Sequence, residues 1–106
     1  MLFRSGSRHT DDEVRATIRR VYEDYEYLLD PHSAIGYLGV KSVDSGSASR
    51  IFIATAHPAK FAEIVEPIIG RTVPKPRPLV DALARGRQVL RLASTLDAVR
   101  GIVADR

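Results

Sequence analysis

The sequence predicts a helix-rich α/β arrangement, a slice of a larger sheet-and-helix protein with one clear strand at about 51–54. Three observations predict it. Apolar residues recur at helical spacing behind capping residues near both ends of the 106-residue chain. A short apolar run, IFIA at 51–54, reads as a strand buried on both faces, and no second segment of that clarity is available to pair with it.

Thr10, followed by Asp11, Asp12 and Glu13, makes a capping box: the hydroxyl accepts the Glu13 N–H while the Glu13 carboxylate reaches back to the cap. A helix is expected from there to about Tyr27. Val14, Ile18, Val21, Tyr22, Tyr25 and Leu28 form its apolar stripe, and Arg15, Arg19, Glu23 and Glu26 lie mainly opposite. Asp30 before Pro31 is the next punctuation, because proline disfavours helical geometry in the residue before it yet suits the first position of a helix. The second helix, with its body at 32–41, carries Ala34, Ile35, Tyr37, Leu38 and Val40, plus Gly36 and Gly39 for close backbone approach. That composition predicts burial. Residues 42–49, rich in Ser and Gly, read as a flexible surface loop.

After the strand, Pro58 opens a helix whose inner face is Phe61, Ile64, Val65 and Ile68, with Pro67 expected to bend or shorten its last turn before Gly70. Pro74, Pro76 and Pro78 make 71–78 a Pro-rich connector, and 79–83 supports one or two helical turns. Residues 89–92 read equally as a short edge strand or as an extended lead-in to the last helix. Ser94 and Asp97 suggest a second capping box, before a terminal stripe of Leu96, Val99, Ile102 and Val103 ending near Asp105. A lone strand buried on both faces needs neighbours for its backbone groups. The whole chain is therefore expected to be a single partial domain that associates with itself or with the piece supplying the missing strands.

Composition narrows the class. The chain is 44% hydrophobic but holds three Phe, four Tyr and no Trp, so Ile, Val, Leu and Ala must fill the core of one small domain. The absence of Cys excludes a disulfide scaffold and a thiolate nucleophile. With neither a secretory signal nor a membrane span in view, a cytoplasmic protein is expected. The formal charge of +3 favours anionic partners in general and identifies none. Arginines alternate with acids and no aromatic-basic platform interrupts them, which argues against nucleic acid.

No G-x-x-x-x-G-K, G-x-G-x-x-G, H-E-x-x-H or G-x-S-x-G motif is present. His9, His32 and His57 are too scattered to predict a metal site, although folding could bring His32 and His57 together near Asp30. Asp30 is accounted for as a helix cap. The polar cluster Thr55, His57 and Lys60 directly follows the strand, at the strand-to-helix junction where α/β proteins place ligands. The bland reading is a capped helix start with Lys60 in solvent. Lys60 also sits in a first turn, where a cation is unfavourable unless an anion is present.

Two strings, DPHSAIGYLG at 30–39 and ATAHPAKF at 54–61, closely resemble threonine synthases, as do the preceding T-x-x-E and R-R-V-Y of the first helix. The resemblance continues through 62–69 and loosely through 92–103. It is weakest at 85–94, where the family has a more acidic stretch and often a proline, and the loop 42–49 is also less typical. It implies the tryptophan-synthase-β-like fold (PLP fold type II), this chain falling in the large domain. It also implies a lyase that converts O-phosphohomoserine and water into L-threonine and phosphate, with pyridoxal phosphate held by a lysine Schiff base. In that family the Schiff-base lysine and the phosphate loop belong to earlier parts of a longer chain. Lys41, Lys60 and Lys75 are the only lysines here, and none lies in such a motif.

The resemblance assigns Thr55, by its position after the strand, to the hydroxyl against the pyridine nitrogen. His57 and Lys60 are weaker candidates to support it or to contact an anion. The isolated chain is expected to be inactive and to hold no cofactor stably. The alternative is a non-catalytic module derived from the same segment that associates with itself or a partner.

Overall fold

The computed structural model describes residues 5–44 and 46–104. The elements run α1 (Asp11–Tyr25), α2 (Pro31–Ser42), a 3-10 turn (Pro58–Phe61) leading into α3 (Ala62–Ile69), α4 (Arg77–Leu83) and α5 (Leu96–Ala104). The chain divides into two compact units, the first extending to Pro76 and the second beginning at Arg77.

In the first unit, α1 starts at the expected box. Thr10 Oγ1 accepts the Glu13 N–H at 3.3 Å, and the Glu13 carboxylate accepts the Thr10 N–H at 2.6 Å. These bonds hold the Glu13 carboxyl below the ordinary carboxylate value, the backbone bond from Thr10 most of all. The helix ends two residues before the expected Tyr27, because Glu26 turns left-handed at φ 53° and its N–H closes on the Tyr22 carbonyl at 2.9 Å. Tyr25 and Tyr27 consequently face solvent, and the buried stripe is Val14, Thr17, Ile18 and Val21. It packs with Leu29 and Ala34, and Leu28, Tyr37, Leu38, Phe52 and Ile68 close around the cluster. Both α2 and α3 contact α1, so α1 is the spine of this unit.

Pro31 opens α2 behind the Asp30 cap, as the sequence indicates. Burial of α2 is shallower than its composition suggests, with Ser33 and Ala34 buried and 36–40 half-buried. At Gly36 an added Cβ would meet Phe52 at 3.8 Å, an ordinary contact, whereas at Gly39 it would press on Ser7 Oγ at 3.3 Å. α3 runs through Pro67 to Ile69 and stops at Gly70, left-handed at φ 68°, whose N–H reaches the Glu66 carbonyl at 2.8 Å. A Glu66 carboxylate oxygen then accepts the Val73 N–H at 2.9 Å, fixing the start of the Pro-rich connector and burying Val73.

The α/β expectation is corrected here: among the described residues there is no strand, at 51–54 or at 89–92. Residues 51–54 are non-helical, but no described segment pairs with their backbone. Phe52 alone turns inward, while Ile51 and Ile53 are 82% and 79% exposed. A strand exists only in a ladder, and every other regular element described in this chain is a helix or a 3-10 turn.

In the second unit, α4 opens at Arg77 with Pro78 in its first turn, so the extended part of the connector stops at Pro76. α5 is capped by Thr95 rather than Ser94: the Thr95 hydroxyl accepts the Ala98 N–H at 3.3 Å, which leaves Asp97 outside the reciprocal position. Neither helix has a fully buried residue.

Candidate functional site

The site begins with a ring contact. Phe52 meets Tyr37 of α2 edge-on, with centroids 5.8 Å apart and planes at 84°, and this anchors the otherwise unpaired segment that leads to Thr55. Beyond it lies an open cleft of about 670 Å³ whose walls include Tyr27, Leu28, Ala54, Thr55, His57, Pro58 and Val73. The Thr55 side chain is exposed on this cleft, and its hydroxyl has no hydrogen bond to a described residue.

His57 lines the same cleft and caps the 3-10 turn, its Nδ1 accepting the Ala59 N–H at 3.1 Å. An accepting Nδ1 puts the proton of the neutral ring on Nε2, which leaves a donor available. Lys60 is in the turn but not on the cleft wall. Its N–H bonds the His57 carbonyl at 3.0 Å, and its side chain is exposed without an ion pair to a described residue. Thus Thr55 and His57 share one cleft and Lys60 does not.

A second polar centre lies at the start of α2. Asp30, 1% exposed, accepts from the His32 N–H at 3.0 Å and the Ser33 N–H at 3.2 Å, from the Ser33 hydroxyl, and faces His32 Nδ1 at 3.2 Å. Burial pushes its carboxyl up, but the bonds from Ser33 and His32 together outweigh burial and leave it below the ordinary carboxylate value. The His32 ring rests on Phe61, centroids 5.1 Å apart, which ties the head of α2 to the 3-10 turn that His57 caps. His32 and His57 therefore serve separate caps, and no cluster of three metal-ligating side chains forms among the described residues. Tyr27 and Val73 as cleft walls escape a reading of the sequence, because a helix end and a connector bring them together from 46 positions apart.

Residues 33–103 match the family model described as threonine synthase, C-terminal. A threonine synthase of Serratia marcescens is 36% identical over 96 residues, covering 91% of this chain and 21% of the relative. A PLP-bound threonine synthase from Brucella melitensis superposes with a TM-score of 0.71 at 39% identity, over 89% of this chain and 20% of that one. The threonine synthase of Escherichia coli gives a TM-score of 0.77 at 29% identity, over 90% of this chain and 22% of its own. The chain thus spans about a fifth of the length of the relatives it matches. No described helix is long and apolar enough to cross a membrane. With Thr55 and His57 inside the matched region, and likeness to these relatives in both sequence and backbone, the chain belongs to the threonine synthase family, within its carboxyl-terminal part.

Proposed function

We propose that this chain forms the pyridine-nitrogen side of the pyridoxal phosphate site in an enzyme converting O-phosphohomoserine and water into L-threonine and phosphate. The observation that carries the reading is the Thr55 hydroxyl, unpartnered among the described residues and held on an open cleft. The cleft suits one edge of a flat heteroaromatic ring: Leu28, Ala54, Pro58 and Val73 supply apolar wall, and Thr55 supplies one hydrogen-bonding group. It has no lysine on its wall and no glycine-rich phosphate loop, so it is half of a site.

When bound, the cofactor supplies the electron sink for carbanions formed at the substrate. Thr55 positions the ring nitrogen. Its neutral hydroxyl would donate to that nitrogen without supplying the negative charge that would keep a proton on it. His57 keeps the following turn in register through Ala59, and Lys60 is the cation of this turn available to an anionic group. A second reading, a non-catalytic self-associating module, draws on the exposure of Ile51 and Ile53 and predicts a discrete homodimer without any catalytic partner.

The test replaces the matching segment of the Escherichia coli enzyme with this chain and follows cofactor absorbance and phosphate release from O-phosphohomoserine. Thr55→Val keeps the branched shape and removes the hydroxyl. It is expected to weaken cofactor retention by ~0.5–3 kcal/mol and to slow turnover, with folding unchanged. A folded variant that retains cofactor and turns over like its parent would refute the role of Thr55. The isolated chain is expected to release no phosphate; a rate abolished by Lys60→Ala would overturn that expectation.

A further inference from the structure

We propose that the segment around Arg87 and Arg91 is a strand-addition site for an extended peptide carrying two acidic residues four positions apart with an apolar residue midway between them. Residues 86–93 are neither helix nor turn, and the backbone of 86–92 makes no hydrogen bond to a described residue. Arg87, Val89 and Arg91 by themselves line an open cleft of about 590 Å³, so alternate side chains share one side, as in an extended chain. Alternate residues of such a chain are about 6.6–6.8 Å apart, which puts the two guanidinium-bearing positions about 13 Å apart with Val89 between them.

The charge on this segment is uncompensated. Arg85, Arg87 and Arg91 make no ion pair with a described residue, and no acid lies between Asp81 and Asp97. Those two flanking acids are already engaged, Asp81 with Arg77 at 2.9 Å and Asp97 with Arg100 at 3.9 Å. Val89 and Leu90 are exposed as well, so the segment combines apolar and cationic surface with a row of unpaired N–H and C=O groups. An incoming strand satisfies all three demands at once: a ladder along the backbone, a carboxylate opposite each arginine and an apolar residue opposite Val89. Single-stranded nucleic acid fits less well, because the unit from Arg77 onward has no Phe, Tyr or Trp on which bases could stack.

The probe is a labelled peptide, Thr-Glu-Thr-Val-Thr-Glu-Thr, capped at both ends, titrated into this chain by fluorescence anisotropy. It is compared with the same composition rearranged to place the two Glu side by side, and with a single-stranded thymidine oligonucleotide. The alternating peptide is expected to bind more tightly than the rearranged one, and to lose about two- to thirtyfold in affinity on Arg87→Ala with Arg91→Ala, the range for two exposed ion pairs. N-methylation at alternate peptide residues is expected to abolish binding along one edge and to spare it along the other. Equal binding of both peptides, or of both N-methylated forms, would reduce the site to nonspecific charge and overturn the proposal. Tighter, arginine-dependent binding of the oligonucleotide, or no binding of the peptide, would overturn it as well.

Discussion

Replacing Asp30 with alanine removes the side-chain acceptor at the head of α2 for the N–H groups of His32 and Ser33, the Ser33 hydroxyl and the His32 ring, and leaves the backbone bond from Ala34 to the residue-30 carbonyl in place. Two losses add. Deleting a helix N-cap costs ~0.5–2 kcal/mol. The Ser33 hydroxyl, in a residue only 2% exposed, is left without its carboxylate, at ~1–3 kcal/mol for an unsatisfied buried group. Together the change is expected to cost roughly 1.5–5 kcal/mol, a large share of the ~5–15 kcal/mol typical of a domain. Urea unfolding at neutral pH, followed by far-ultraviolet circular dichroism, measures it, and Asp30→Asn should fall between the two because it keeps one oxygen acceptor.

The pH dependence carries the sign. The folded carboxyl sits below its ordinary value, so its ionisation stabilises the fold above the unfolded value of about 3.9 and loses that contribution as pH falls through the folded value. The difference between parent and Asp30→Ala should therefore be level from pH 7 to about 5 and shrink below about 4. A loss under ~0.5 kcal/mol at pH 7, or a difference that grows in acid, would refute the reasoning.

Three further outcomes follow from the packing. Ile18→Ala, at a fully buried position of α1, should cost ~2–5 kcal/mol by urea titration. Gly70→Ala puts a Cβ on a left-handed residue at φ 68° and should cost ~1–2 kcal/mol although nothing crowds the site, again by urea titration. Ile51→Thr with Ile53→Thr should change stability by no more than ~0.5 kcal/mol while lowering any self-association seen by sedimentation velocity, since both side chains face outward.

What could be read in the sequence was what neighbouring residues decide among themselves. The Thr10–Glu13 box, the Asp30–Pro31 helix start and the Gly70 stop all close within a few positions, and the structure places each where its residue types indicate. The end of α1 was not legible, because the left-handed residue is Glu26, which carries no mark of that conformation. The α5 cap went to Thr95 because two adjacent hydroxyls offered registers one residue apart. At 51–54 apolar composition suggested burial on two faces, but a single residue, Phe52, found cover, since pairing depends on segments distant in sequence. The candidate site divides the same way: Thr55 and His57 were visible from their string, and Tyr27 and Val73 from nothing local.

The cap at Asp30 also bears on the order in which the chain acquires shape. Its side-chain bonds reach no further than Ser33, so the loop that must close is among the shortest a chain can form, and the helix start is set on the timescale of local helix formation. The stretch 51–54 has no such local partner, and any mate for its backbone must come by a long closure, which is entropically dearer and slower. During synthesis, then, α2 and its cap are ready as a platform, with Tyr37 presented for Phe52, before the stretch at 51–54 is laid against it.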